Sequence, residues 1–304
     1  MLRQTAFVKR LVLCVLTGFA VLLIAKPLAA QLPFYTDDPA VTPTGVLHLE
    51  FFNEFDGLQS SEFPDLRQNT SNFKINYGLK HRLELDLDFP YLSIYRAAGT
   101  ASSSGLGDTD LGIKWNFHKA SAGSWVPALG ASFYTEFPAG DEHNGLGSGL
   151  IDYWLNVIAQ KPFTERTRMN ANFGFLLAGN TSPGAIGIQT KRGHVFTGGV
   201  SLLQDLNQRL TLGIEGYAGV ADTSDLGRTQ LQGLVGGECV IRNGFSFTFG
   251  LLAGKFEASP RIPGQLGFSM DFPAIFRRSD SRGRPIATSR AKILESTSLK
   301  RSSP

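Results

Sequence analysis

Cysteine is almost absent from this 304-residue chain: only Cys14 and Cys239 occur, and Cys14 lies in a segment expected to be removed. An exported chain with one remaining cysteine has no intramolecular disulfide, so strand pairing and packing must supply its stability. Long apolar runs are missing too. Beyond residue 30 nothing approaches the roughly 20 consecutive apolar residues of a membrane-crossing helix, which excludes a helical membrane protein. Histidine is scarce, with His48, His81, His118, His143 and His194 scattered, and no G-x-S-x-G elbow accompanies them. Hydrolase chemistry has no visible footing, and no cofactor or resident metal is expected. The middle of the chain is also poor in basic residues. Of 29 Lys and Arg, four lie in residues 1–30 and eight in 273–304, while the tail holds two of 26 acids; the central chain is left with 17 bases, 24 acids and a net −7. That balance argues against nucleic acid as a partner.

The N-terminus carries Arg3, Lys9 and Arg10 ahead of a nearly unbroken apolar run, Leu11 to Ile24, and small residues at Ala29 and Ala30. This is the plan of a secretory signal peptide, with cleavage expected near Ala30, and an uncleaved anchor is the alternative. Cys14 does not read as a lipoprotein site, because bulky Leu13 precedes it and most of the apolar run follows it. The domain reading is therefore a signal peptide over 1–30, a leader over 31–44, a β-domain over 45–272 and a basic, Ser/Arg-rich tail over 273–304. That tail reads as disordered.

What the central chain has in abundance is alternation, with 34 glycines as punctuation. In RLELDLDF (82–89), Leu83, Leu85, Leu87 and Phe89 alternate with Glu84, Asp86 and Asp88. A strand there is hydrocarbon on one face and carboxylate on the other. Similar runs occur near 46–55, 72–79, 82–91, 108–118, 125–137, 150–160, 167–178, 194–204, 209–220, 229–241, 245–255 and 264–272. Most match the roughly 9 to 11 residues a tilted strand needs to cross a bilayer core. Between them, long polar segments such as RAAGTASSSGLG and PAGDEHNGLGSG alternate with tight links such as GLKH, DLNQ and RNG. The alternation of long and short connections predicts a transmembrane up-and-down antiparallel β-barrel of about 12 strands, all-β in class. The leucines then face lipid, and the acids face the lumen.

The faces define candidate lumen-lining residues: Glu50, Glu54, Lys74, Glu84, Asp86, Asp88, Asp110, Lys114, Glu136, Asp152, Arg168, Glu215 and Glu238, with Asp271 in the same phase. Eleven of these are acids and three are bases. An open lumen so lined favours cations. Trp115, Phe117 and Trp125 around one short turn, and Phe89, Tyr91, Phe133 and Phe137 at the opposite ends, suit an interfacial belt of aromatics. In the leader, Asp37 and Asp38 either cap a turn or tie the segment into the lumen through Lys74, Lys114 or Arg168. Asp108 and Asp110 have the first spacing of a calcium loop without the Gly and distal Glu that complete one. Asp141, Glu142 and His143 read as a solvated loop rather than as an ion site.

PFYTDDPAVTPTG (33–45), GLGDTDLGIKW (105–115) and FPAGDEHNGLGSG (137–149), in this order and spacing, resemble the MetA-pathway of phenol degradation family of outer-membrane proteins and transporters. The resemblance runs from about Pro33 to Phe272. It implies a barrel in the bacterial outer membrane and a role in uptake of aromatic or other apolar compounds, and it carries over no binding or catalytic residues. The closing strand GQLGFSMDF is similar to the C-terminal signal read by the barrel-assembly machinery, although 32 residues follow Phe272. The expected function is a monomeric, non-enzymatic passive channel or transporter for small solutes, in contact with outer-membrane lipid and lipopolysaccharide. A soluble exported β-fold, an adhesive or structural barrel and a lipid-modifying barrel enzyme are the alternatives.

Overall fold

A computed structural model describes residues 33–120, 125–180, 188–221, 230–256 and 258–272. The expected signal peptide, the tail after Phe272, part of the link around Lys119 to Ser124 and the tips of two long loops lie outside the described residues. Thirteen strands follow one another along the chain: β1 (Leu47–Gly57), β2 (Asp65–Gly78), β3 (Leu83–Arg96), β4 (Ser103–Leu106), β5 (Thr109–His118), β6 (Ala128–Phe137), β7 (Asp152–Pro162), β8 (Thr167–Asn180), β9 (Ile188–Asp205), β10 (Leu210–Ala221), β11 (Gln230–Arg242), β12 (Phe245–Lys255) and β13 (Ile262–Phe272).

Twelve of them form a closed antiparallel barrel. Each pairs with its neighbours in sequence, β3 continues to β5, and β1 closes the ring against β13. The thirteenth, β4, is a short ribbon folded onto the outer end of β3 through Tyr91–Ile94. Closure leaves the ring of twelve without a free sheet edge, as a strand wall in lipid requires, and only the short β4 is paired on one side. At the seam, Phe51 stands opposite Phe268 and His48 opposite Asp271. His48 Nδ1 lies 2.5 Å from Asp271 Oδ1 and Nε2 lies 2.9 Å from Glu50 Oε1, so the imidazole clamps β1 to β13 from inside.

The twelve alternating runs of the sequence all appear as barrel strands, with β3 running on to Arg96 rather than 91, β9 starting at Ile188 inside what reads as the loop NTSPGAIGIQTKR, and three further adjustments. Pro127 cannot donate to a ladder, so β6 starts at Ala128 rather than at 125, and Trp125 lies outside the strand at 92% exposure with Lys161 Nζ 5.7 Å from its ring centroid. Second, the polar segment 56–71 is mostly strand: Arg67 to Ser71 continue β2 in register with Gly57 to Asn53. Hydrogen-bonded ladders need no apolar residues, and an apolar period cannot reveal them. The third is β4, which four residues of Ser, Gly and Leu build where a loop was expected.

The outward face is hydrocarbon. Leu111, Ile113, Trp115, Tyr153, Leu155, Val157, Phe173, Val200, Leu251 and Leu266 are all exposed, and across β1, β2 and β3 Phe51 meets Phe73 tilted at 5.1 Å while Phe73 stacks on Phe89 at 5.3 Å. Inward positions are buried and mostly polar, from Glu50 and Asn156 to Ser201 and Thr248. A hydrocarbon exterior around a polar interior is stable in a bilayer, not in water. Ile113→Lys, at the middle of β5, is therefore expected to cost about 2 to 4 kcal/mol in urea titrations of vesicle-folded protein, against less than about 1.5 kcal/mol for Ile113→Val. Equal losses would mean that this face does not meet lipid.

Candidate functional site

The bore is where the polar side chains converge, and the leader runs through it. Residues 33–46 precede β1 and enter from the end at which β1 begins. Gly45 N donates to Gly78 O at 2.7 Å, and Gly78 N donates to Val46 O at 3.1 Å, which fixes the entry against β2. Thr42 N donates to Glu84 Oε2 on β3, and Asn116 Nδ2 of β5 donates to Pro39 O at 2.5 Å. Lys114 Nζ, buried in the β5 wall, meets Asp37 Oδ1 at 2.6 Å. Asp37 Oδ1 also accepts from Asp38 N at 2.8 Å, and Asp38 Oδ1 accepts from Ala40 N at 2.7 Å. Turn formation and attachment to the wall are thus divided between the two aspartates. Of the three bases considered for them, Lys114 takes Asp37, Lys74 pairs with Asp88 at 2.8 Å, and Arg168 pairs with Asp205 at 2.7 Å beside the β8–β9 rim.

Farther in, the leader crosses to the opposite wall. Glu215 of β10 accepts three hydrogen bonds from it: Tyr35 N at 3.1 Å, Thr36 N at 2.6 Å and Thr36 Oγ1 at 2.7 Å. The Tyr35 hydroxyl donates to both oxygens of Glu54 on β1, at 3.0 and 2.9 Å. Burial, then the Glu54 and Asp56 carboxylates, hold this phenol well above its ordinary range, so it stays a donor. Burial likewise pushes the Asp37 carboxyl up to about 6, against the pull of the Lys114 ammonium. Phe34 completes the docking in an apolar cluster with Leu203, Leu234 and Leu252.

Close approach of leader to wall depends on glycine. A Cβ on Gly199 would meet Thr36, one on Gly213 would meet Phe34, and one on Gly236 or Gly250 would meet Pro33. These glycines occupy inward positions, in phase along their own strands with Thr197 and Ser201, Thr211 and Glu215, Glu238, and Thr248. They were the signal in the sequence for an inserted segment, since a strand glycine on the polar phase marks a close backbone approach.

Beside the leader lies a cavity of about 170 Å³, walled mainly by β1, β2, β3, β5, β6 and β7, with Pro33, Phe34, Tyr35 and Asp37 along it. Among the expected lumen residues, Glu50, Glu54, Lys74, Glu84, Asp86, Asp88, Asp110 and Lys114 line this cavity. Glu136 and Asp152 continue the same wall on β6 and β7. Glu215 and Glu238 lie across the barrel, where, apart from the Arg168–Asp205 pair and Asp271, the inward positions are mostly neutral, as at Thr197, Ser201, Gln230, Gln232 and Thr248. The bore is therefore electrically lopsided. Asp56, Tyr134 and Trp154 also face the cavity and were missed in the sequence. Asp56 falls in what reads as a loop, and the two aromatics sit on the phase expected to be polar.

At the outer end the 138–151 loop folds back onto the rim. Asp108 accepts from Gly140 N at 3.0 Å and from Ser148 N at 2.7 Å, so Asp108 latches the loop while Asp110 lines the cavity. Arg96 Nη2 and Ser103 Oγ donate to Asn144 O at 3.0 and 2.8 Å, and Leu146 packs on inward-facing Leu92 and Ile94. Asp141 only caps its own turn, where the Asn144 amide holds its carboxyl below the usual range. Among the described residues no three His, Cys, Asp or Glu side chains stand close enough to chelate a metal ion.

A family model described as Putative MetA-pathway of phenol degradation matches residues 58–272, more than half of the chain. Among solved structures, an outer membrane channel from Pseudomonas putida F1 is similar at 14% identity and a TM-score of 0.60, covering 79% of this chain and 100% of that one. The KdgM porin in complex with disordered oligogalacturonate has 9% identity and a TM-score of 0.50, covering 74% and 99%. The NanC porin has 7% identity and a TM-score of 0.50, covering 74% and 98%. At such identities the likeness speaks to the fold. No curated protein matches the chain.

If Glu215 anchors the leader, Glu215→Ala removes three acceptor contacts at once, each worth about 1.5 to 3 kcal/mol when made to a charged group. Hydrogen exchange at the Tyr35 and Thr36 amides is expected to accelerate at least tenfold, with the mobility shift of the folded barrel on gels unchanged. Unaltered exchange would show that the leader is held without Glu215.

Proposed function

Because the chain belongs to the family described as Putative MetA-pathway of phenol degradation, we propose that it is an outer-membrane channel through which small solutes diffuse passively. Its bore prefers cations, and its leader governs how far the bore is open. The observation that carries this reading is the bore itself. A closed barrel, hydrocarbon outside, encloses a cavity lined by eight carboxylates, Asp37 among them, against Lys74 and Lys114. A pore so lined raises the local concentration of cations and repels anions.

The family description supports aromatic compounds as solutes, and Tyr134 and Trp154, 6.2 Å apart, give the cavity an aromatic wall for them. Twelve strands enclose a narrow interior, and an inserted segment suffices to obstruct it. Passage therefore requires the leader to shift or a solute to slip past it. The self-closed ring supports a monomer as the working unit. Catalysis has no part in the reading.

The test is planar-bilayer conductance of the refolded protein under a salt gradient. The wild type is expected to show discrete steps with a cation-selective reversal potential. Replacing Glu84, Asp86 and Asp88 together by Asn should reduce the cation-to-anion permeability ratio at least about threefold. Deleting residues 33–43 should raise unit conductance. Anion preference in the wild type, or unchanged selectivity in the triple variant, would overturn the reading.

A further inference from the structure

The acid surplus of the bore is concentrated on one stretch of wall. Across β2, β3, β5, β6 and β7 the register sets Lys74 opposite Asp88, Asp88 opposite Asp110, Asp110 opposite Glu136 and Glu136 opposite Asp152. Neighbouring strands lie about 4.8 Å apart, so four carboxylates form a ladder with rungs at that interval. Lys74 occupies one oxygen of the first rung, Asp88 Oδ2, while Asp88 Oδ1 and Glu136 Oε1 are buried without a hydrogen-bond partner. One inward position away on β3, Asp86 is 4% exposed; its Oδ2 accepts from the Tyr134 hydroxyl at 3.0 Å and its Oδ1 has no partner.

A buried carboxylate oxygen without a donor is costly, and a row of facing carboxylates compounds the cost by mutual repulsion. The two lysines on the cavity are committed, Lys74 to Asp88 and Lys114 to Asp37. Positive charge from solution is what this wall lacks, and the adjoining cavity gives it room. Size and shape decide which cation. No three acids among the described residues converge as a divalent metal ion requires. An extended molecule with ammonium groups separated by methylenes fits better: each ammonium meets carboxylates on successive strands, while the hydrocarbon lies along the rings of Tyr134 and Trp154.

We propose that this cavity binds linear aliphatic diamines and polyamines, with Asp86 and the Asp88–Asp110 rungs as the ammonium-binding groups. The inference deepens the channel reading, from which it takes the ligand's route to the cavity.

The experiment is calorimetric titration of the full folded protein in detergent, at low ionic strength, with 1,4-diaminobutane. The comparison probes are 1-aminobutane, butanedioate and magnesium chloride. Saturable binding of the diamine is expected, at least about tenfold tighter than the monoamine, with no binding of the dianion. Asp86→Asn and Asp110→Asn, both verified by the gel-mobility shift, are each expected to weaken it about tenfold. Two variants are used so that failure of one to fold leaves the other decisive. Wild-type affinity in a folded variant, monoamine binding as tight as the diamine, or displacement by magnesium at matched ionic strength would each overturn the proposal. Cation-selective conductance without diamine binding would sink the amine site and spare the channel. Diamine binding by a silent barrel would do the reverse.

Discussion

A hydrocarbon exterior obliges every charged side chain of a membrane strand to point inward, and a bore ringed by twelve strands has little space in which to hydrate them. Most of the interior responds to that constraint. His48 lies between Asp271 and Glu50, Lys74 answers Asp88, Tyr134 answers Asp86, and the leader brings backbone amides and a phenol to Glu84, Glu215 and Glu54. The leader is thus more than an obstruction. It is a hydrogen-bond donor for carboxylates that the barrel cannot satisfy by itself, and Lys114 donates to Asp37 in return.

The wall was far more legible in the sequence than its contents. Leu83, Leu85 and Leu87 against Glu84, Asp86 and Asp88 announce a two-faced strand, because lipid imposes a strict period of two. The same rule fails where lipid ends. Arg67 to Ser71 are strand without any apolar period, and Leu92 and Ile94 face inward because Leu146 covers them. Nothing local could disclose that Glu215 meets Thr36 across 179 positions of sequence, since that contact is set by closure of the ring. The feature legible in principle was a set of glycines on the polar phase of β9 to β12, which alternation counts as silent.

The family match covers residues 58–272, and the barrel fold is shared with solved channels and porins at identities from 7 to 14%. Such a fold persists because its demands on sequence are few: alternation, turn chemistry such as Asn243-Gly244 between β11 and β12, and closure. The lumen is freer to vary. Its charge is set by a handful of inward positions, here weighted toward acids on β1 to β7 and toward amides and hydroxyls on the far side.

The glycines under the leader carry an evolutionary consequence. Pro33 rests on Gly236 and Gly250, Phe34 on Gly213, Thr36 on Gly199 and Pro39 on Gly130, so five strands have given up side chains to accommodate one short segment. Bulk gained on either surface must be surrendered on the other. Divergence in this lineage is thereby tied in pairs: a relative with a slimmer leader is free to regrow side chains at those wall positions, and one that loses the leader has no reason to keep them as glycine.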